Sequence, residues 1–77
     1  MKLNYDAHTD SLYIELSAAA ATDSREVANG VVLDFGHDGW VVGIDLDHAS
    51  TRVDLSRLEG EGLPLRAVSP SQAGSSG

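Results

Sequence analysis

The chain has 77 residues, no cysteine, and twelve Asp and Glu against five Lys and Arg, for a formal net charge of −7. That length holds one small domain with a thin stability margin. The missing cysteines exclude disulfides and thiolate–zinc staples, leaving packing, a partner chain or an unusual His/Asp metal site as the supplement. A charge of this sign with no basic run disfavours direct nucleic-acid binding and favours either plain solubility or a basic protein partner.

The opening MKLNYDAHTD lacks the apolar core of a secretory signal, and no apolar run is long enough to span a membrane. The expectation is a soluble, cytoplasmic protein with no membrane partner. Leu3 to Asp6 reads as a short extended segment, and His8 to Asp10 as a polar turn. In SLYIEL, Leu12, Ile14 and Leu16 alternate with Tyr13 and Glu15, the period of a half-buried strand. The two segments form a hairpin, with Leu3 and Tyr5 on the same apolar face.

SAAAATDS is too short for an independent helix and reads as a loop with at most one helical turn. Arg25 to Val27 is a short strand, and Asn29-Gly30 predicts a type I′ hairpin turn. The strand Val31–Phe35 follows, with Val31, Leu33 and Phe35 on one side and Val32 and Asp34 on the other. His37-Asp38-Gly39 turns the chain into a last strand. There Trp40, Val42, Ile44 and Leu46 share one face and Val41, Gly43, Asp45 and Asp47 the other.

Beyond Asp47 the period changes. Ala49, Val53 and Leu58 lie roughly on helical spacing, with Ser50 as N-cap, Asp54 in the first turn, and Gly60 or Gly62 as the stop. LPLRAV reads as an extended arm and SPSQAGSSG as a disordered tail.

YDAHTDSLYIEL (Tyr5 to Leu16), VANGVVLDF (Val27 to Phe35) and DGWVVGIDLDHAS (Asp38 to Ser50) together resemble DUF2283, a family of small bacterial and archaeal domains of unknown function. In that family's pattern an aliphatic strand ends at an acidic position, and an aspartate-glycine turn leads to a glycine-isoleucine pair. Asp45 stands where glutamate is more common in the family, and Trp40 where a small polar or charged residue is usual. The tail beyond Leu58 has no counterpart. The resemblance implies an antiparallel sheet of four or five strands with a following helix, and no established activity. Some members are encoded beside small toxin-like proteins, which suggests an antitoxin-like partner role at the level of the family.

Several residue groups invite chemical readings. Asp45 and Asp47 would project from one strand face about 7 Å apart, with His48 able to bend toward them. Such oxygen and imidazole ligands suit zinc, manganese or nickel, but no spacing holds two imidazoles on one face. The plainer reading is carboxylates on a wet face and no bound metal or cofactor. Asp6 and Asp10 sit near the ends of one turn, where paired carboxylates can do acid–base work. No nucleophile or oxyanion hole accompanies them, so they are expected to accept hydrogen bonds from turn amides, and no enzyme activity is expected. Gly43 interrupts a strand, which marks a bulge or a close approach by the helix or a neighbouring chain. Trp40 is expected in the core first and at an interface second; Tyr13 at a sheet face or interface.

The expected fold is an α+β domain over residues 1–60: a small antiparallel β-meander of four to five strands followed by one short helix packed on the sheet. Residues 61–77 form the arm and tail. Leu3, Leu12, Ile14, Leu16, Leu33, Phe35, Ile44 and Leu46 make the apolar face, with Val53 and Leu58 covering it. One short helix can hardly cover that face, so a homo-oligomer or a basic protein partner is expected, with Trp40, Tyr13 and Gly43 at the interface. The function that follows is a small acidic interaction module, self-associating or antitoxin-like. The alternative is a small-molecule or metal binder using the acidic turn residues.

Overall fold

The computed structural model describes residues 1–64. The expected arm and tail beyond Pro64 lie outside the described residues. Five strands and one helical turn follow in order: β1 (Lys2–Asp6), β2 (Ser11–Glu15), β3 (Asp23–Ala28), β4 (Val31–Phe35), β5 (Val41–Leu46) and α1 (Ala49–Arg52). All strand pairs are antiparallel, in one five-stranded sheet. The class is α+β.

The strand order is β1-β2-β5-β4-β3, so the sheet is not the simple meander that short connections suggest. After β2 the alanine segment crosses the end of the sheet without forming a helical turn and delivers β3 to the far edge. Backbone bonds from Leu16 N–H to Val42 O (2.8 Å) and from Thr22 N–H to Phe35 O (2.8 Å) tie down the two ends of this crossing. The last strand then fills the gap between the two hairpins. Because β5 must satisfy ladders on both sides, it is rich in branched apolar residues, and it contains the buried Val42.

The register confirms the shared apolar face. Leu3 lies opposite Ile14, and Tyr5 opposite Leu12. Leu12 and Ile14 in turn face Leu46 and Ile44, which face Val31 and Leu33. A bulge in the β4–β5 ladder sets Val41 opposite Phe35, so Val41 leaves the Gly43–Asp45 face expected for it. At the β3 margin, the Arg25 guanidinium lies over the Phe35 ring, 5.2 Å from its centroid.

Four further expectations are corrected. Asn29-Gly30 does not make a type I′ turn: Gly30 has a φ of 79°, but Asn29 is not left-handed. A bulge between Glu26 and Ala28 supplies the twist instead. The helix is a single turn that stops at Arg52, with Val53 extended, and it leaves Leu58 exposed. Its N-cap is His48, in the left-handed region, not Ser50. Asp54 accepts from the N–H and hydroxyl of Ser56, a local turn that competes with helix continuation, and a four-residue helix has little of its own to resist it. Trp40 is 77% exposed and precedes β5 in the Gly36–Trp40 turn, so it is not core.

Without a longer helix, the apolar side has almost no cover among the described residues. Among the described residues the buried hydrophobic set is Leu12, Val42 and Ala49, and no large side chain is fully enclosed. Leu12 sits between Tyr5 and Leu46 near the middle of that set. Leu12→Ala is expected to cost about 2 kcal/mol, at the low end for core truncations because the site is near the surface. Urea unfolding at constant slope should show the lowered midpoint; an unchanged midpoint would place the core elsewhere.

Candidate functional site

Two polar constellations are built by this sheet. The first crosses its polar face. Register places Tyr13 opposite Asp45 on β5, Glu15 opposite Gly43, Gly43 opposite Asp34 and Asp34 opposite Ser24. The Tyr13 ring lies diagonally over Gly43, and its hydroxyl donates to Asp34 Oδ2 at 2.8 Å. Ser24 Oγ donates to Asp34 Oδ1 at 2.7 Å. A Cβ on Gly43 would lie 1.9 Å from the Tyr13 hydroxyl and 2.5 Å from its ring carbon. The glycine is there to let this tyrosine pass. Within the chain, the close approach is from the Tyr13 ring and not from the helix. The bond to Asp34 raises the Tyr13 phenol above its ordinary range, with desolvation acting in the same direction.

The second constellation joins the first hairpin to the helix. Asp10 closes the β1–β2 turn with a φ of 54°, a conformation that Asp tolerates better than most residues. Its Oδ1 accepts from the Tyr5 hydroxyl at 2.6 Å and from Ser50 N–H at 3.0 Å, and its Oδ2 from Ser50 Oγ at 2.8 Å. Its backbone carbonyl accepts from Ala49 N–H at 2.9 Å. Ala49 is fully buried beneath this joint, a place where a larger side chain has no room. Asp10 thus supplies from another element the capping acceptors that the helix turn lacks locally. The Tyr5 hydroxyl first, and the Ser50 hydroxyl second, hold the Asp10 carboxyl below its usual value against partial desolvation. The same bond raises the Tyr5 phenol.

The remaining sequence candidates are scattered. Asp6 Oδ1 accepts from His8 N–H at 2.9 Å, as a turn carboxylate should, but Asp10 serves a distant segment instead of a turn amide. Asp45 borders a shallow depression of about 400 Å³ that also meets Tyr5, Asp6 and Tyr13. Asp47 and His48 border another, of about 340 Å³, with Glu26 and Arg52. Asp45, Asp47 and His48 are therefore not gathered, and among the described residues no group of three or more His, Asp or Glu is placed to hold a metal ion. No helix among them is long and apolar enough to cross a membrane. The Trp40 side chain is exposed, and its backbone N–H donates to Asp38 Oδ1 at 3.0 Å.

Sequence reasoning missed the roles of Asp34, Ser24 and Ser50. One signal was present: a glycine inside an otherwise β-branched strand, with a tyrosine on a second strand, foretells an aromatic ring laid over bare backbone. The carboxylate at the centre of each constellation accepts from hydroxyl donors, Asp34 from Tyr13 and Ser24 and Asp10 from Tyr5 and Ser50, and both depressions are open and shallow. Both constellations bind the chain to itself.

A family model described as protein of unknown function (DUF2283) matches residues 2–50, the stretch that runs from β1 into α1. Comparison with curated proteins and with solved structures finds no match.

Two expected outcomes follow from these clusters. Gly43→Ala displaces the tyrosine ring, so the Tyr13 phenol should titrate nearer the ordinary value, as it should in Asp34→Asn; phenolate absorbance against pH, with Tyr13→Phe identifying the signal, decides it. A carboxyl whose folded pKa is lowered stabilises the fold above its unfolded value, and that stabilisation fades as pH falls through the folded value. Asp10→Asn keeps a residue suited to positive φ. It should therefore be less stable than the parent at neutral pH, with the gap closing on acidification through the carboxylate range. A gap independent of pH in urea melts would contradict the assignment.

Proposed function

The chain belongs to the DUF2283 family, and on that premise we propose that it is an interaction module that works by self-association, the apolar face of its sheet stacked on the same face of a second copy. The observation carrying this reading is that the described residues supply no second layer over the sheet. A stable domain buries the apolar side of a sheet against another element. Here α1 is one turn, and Leu3, Tyr5 and Leu16 remain exposed beside a face of half-buried Ile14, Leu33, Phe35, Ile44 and Leu46.

Five strands about 4.8 Å apart, each about five residues long at ~3.4 Å per residue, give that face roughly 400 Å² in projection. That is the order of the largest apolar patch on a typical monomer, and such patches are often functional. A second copy fits it for an electrostatic reason. Glu15, Glu26, Asp34 and Asp45 share the polar face through the register, while the apolar face has charge only at its rim, in Asp23 and Arg25. Stacking at about 10 Å between sheets keeps the acidic sides of two like-charged copies turned away from each other.

A basic protein partner fits the acidic side of the same assembly, and the antitoxin-like role suggested by the family resemblance would be a case of it. The observation favouring that second reading is the gathering of carboxylates on the face that stacking leaves open.

Light scattering should give a dimer or a multiple of it for the unaltered chain. Leu33→Asp should dissociate the stacked faces while keeping its β-sheet circular dichroism, because Arg25 lies opposite position 33 and can pair with the new carboxylate. A parent chain that stays monomeric at high concentration, with no partner added, overturns self-association.

A further inference from the structure

We propose that β1 pairs antiparallel with β1 of a second copy, about a two-fold axis through Asn4 and perpendicular to the sheet, joining two five-stranded sheets edge to edge into one. This contact uses a different surface from the stacked faces and stands without them. β1 is an outer strand of the sheet, exposed along its whole length, and among the described residues β2 is its one strand partner. Its outward backbone N–H and C=O groups form a ready template for another strand.

What selects a second copy is the sequence of the edge itself. KLNYD is self-complementary when reversed. Centred on Asn4, the antiparallel register sets Lys2 against the partner copy's Asp6, Leu3 against its Tyr5, and Asn4 against its Asn4. Each Lys–Asp pair occurs twice by symmetry, and cross-strand pairs of opposite charge stabilise a sheet. The axis maps each sheet face onto itself, so residues that meet must lie an even number of positions apart. The neighbouring centres, Leu3 and Tyr5, both lose the Lys–Asp pairs. With Asn4 at the centre, Leu3 and Tyr5, which share the apolar face, continue that face across the junction. Asp6 is free to take part, since His8 N–H occupies only its Oδ1.

The opposite edge is unsuited to the same contact. β3 is bulged between Glu26 and Ala28, and a bulge twists an edge away from further pairing. Centring β3 on its middle positions would also bring Arg25 against Arg25 or Glu26 against Glu26, and like charges directly opposite are destabilising.

Cysteine trapping tests the pairing, because the chain contains no cysteine and one introduced thiol is the only one present. Opposed Cα atoms in an antiparallel pair lie about 4.5–5.5 Å apart, inside the roughly 4.4–6.8 Å span of a disulfide. Asn4→Cys should therefore form a covalent dimer under mild oxidation at least about tenfold faster than Val27→Cys on the β3 edge. Adding Lys2→Glu, which opposes Asp6 with a like charge twice, should slow that cross-link by about tenfold. The cross-link should persist in a Leu33→Asp background, where the stacked faces are separated. Equal rates at positions 4 and 27, or a mixed 4-to-27 cross-link in a doubly substituted chain, would overturn the pairing in favour of random collision or of β1–β3 polymerisation. Loss of the cross-link in the Leu33→Asp background would overturn it as a contact in its own right and leave the stacked faces standing. Retention there, with a parent chain that never stacks, would uphold β1 pairing and remove the stacking.

Discussion

Burying one side of a sheet takes a second layer, and residues 1–64 supply a single helical turn for that purpose. Much else in the molecule follows from this shortage. The buried apolar set is small and lies where strands, crossing segment and turn meet, around Leu12, Val42 and Ala49. Cohesion must then come from hydrogen bonds that would be minor in a larger domain. Stability of this kind has little reserve, since a lone small core supplies only a few kcal/mol over the entropy it must offset.

Two polar clusters show how the shortage is met. Asp10 gathers Tyr5 from β1, Ser50 from α1 and the Ala49 amide around one residue. Asp34 gathers Tyr13 from β2 and Ser24 from β3 across the bare backbone of Gly43 on β5. Each carboxylate links elements that are distant in the chain, and each works with a charged acceptor, which makes stronger hydrogen bonds than a neutral one. Deleting either acceptor therefore loosens more than one junction.

Much of the fold was legible in the sequence, because alternation of apolar and polar residues reports directly on which face each side chain takes. Val31–Phe35 has the bounds its pattern suggests, and Leu3, Tyr5, Leu12 and Ile14 meet as the period implies. Strand order was not legible, since a period of two says nothing about which strands are neighbours, and short turns suggest a meander that the β2–β3 crossing breaks. The helix was overread because Ala49, Val53 and Leu58 keep helical spacing, while the Asp54–Ser56 turn that ends it depends on side-chain bonds. Trp40 was misplaced for a similar reason: extending the alternation of β5 backward by one residue ignores the bulge at its start. Of the two polar clusters, every residue but Ser24 lies inside the segments that resemble the family, but which of them bond to each other was not visible. A bond from Asp10 to Ser50 leaves no periodic trace.

The central place of β5 also sets an order of events during folding. The hairpins β1–β2 and β3–β4 emerge first from synthesis, and each is a two-stranded unit of the kind that is marginal in water. Their strands do not pair with each other in the finished sheet; the Tyr13–Asp34 bond joins them across β5. Only when Val41–Leu46 arrives, pairing at once with β2 and β4, do the halves become one structure. The β2–β5 closure is the long-range step, the kind that slows folding and leaves strand edges open meanwhile. A chain cut short before β5 is thus expected to hold two unsupported hairpins, and the last strand acts as the keystone that makes folding of this small sheet cooperative.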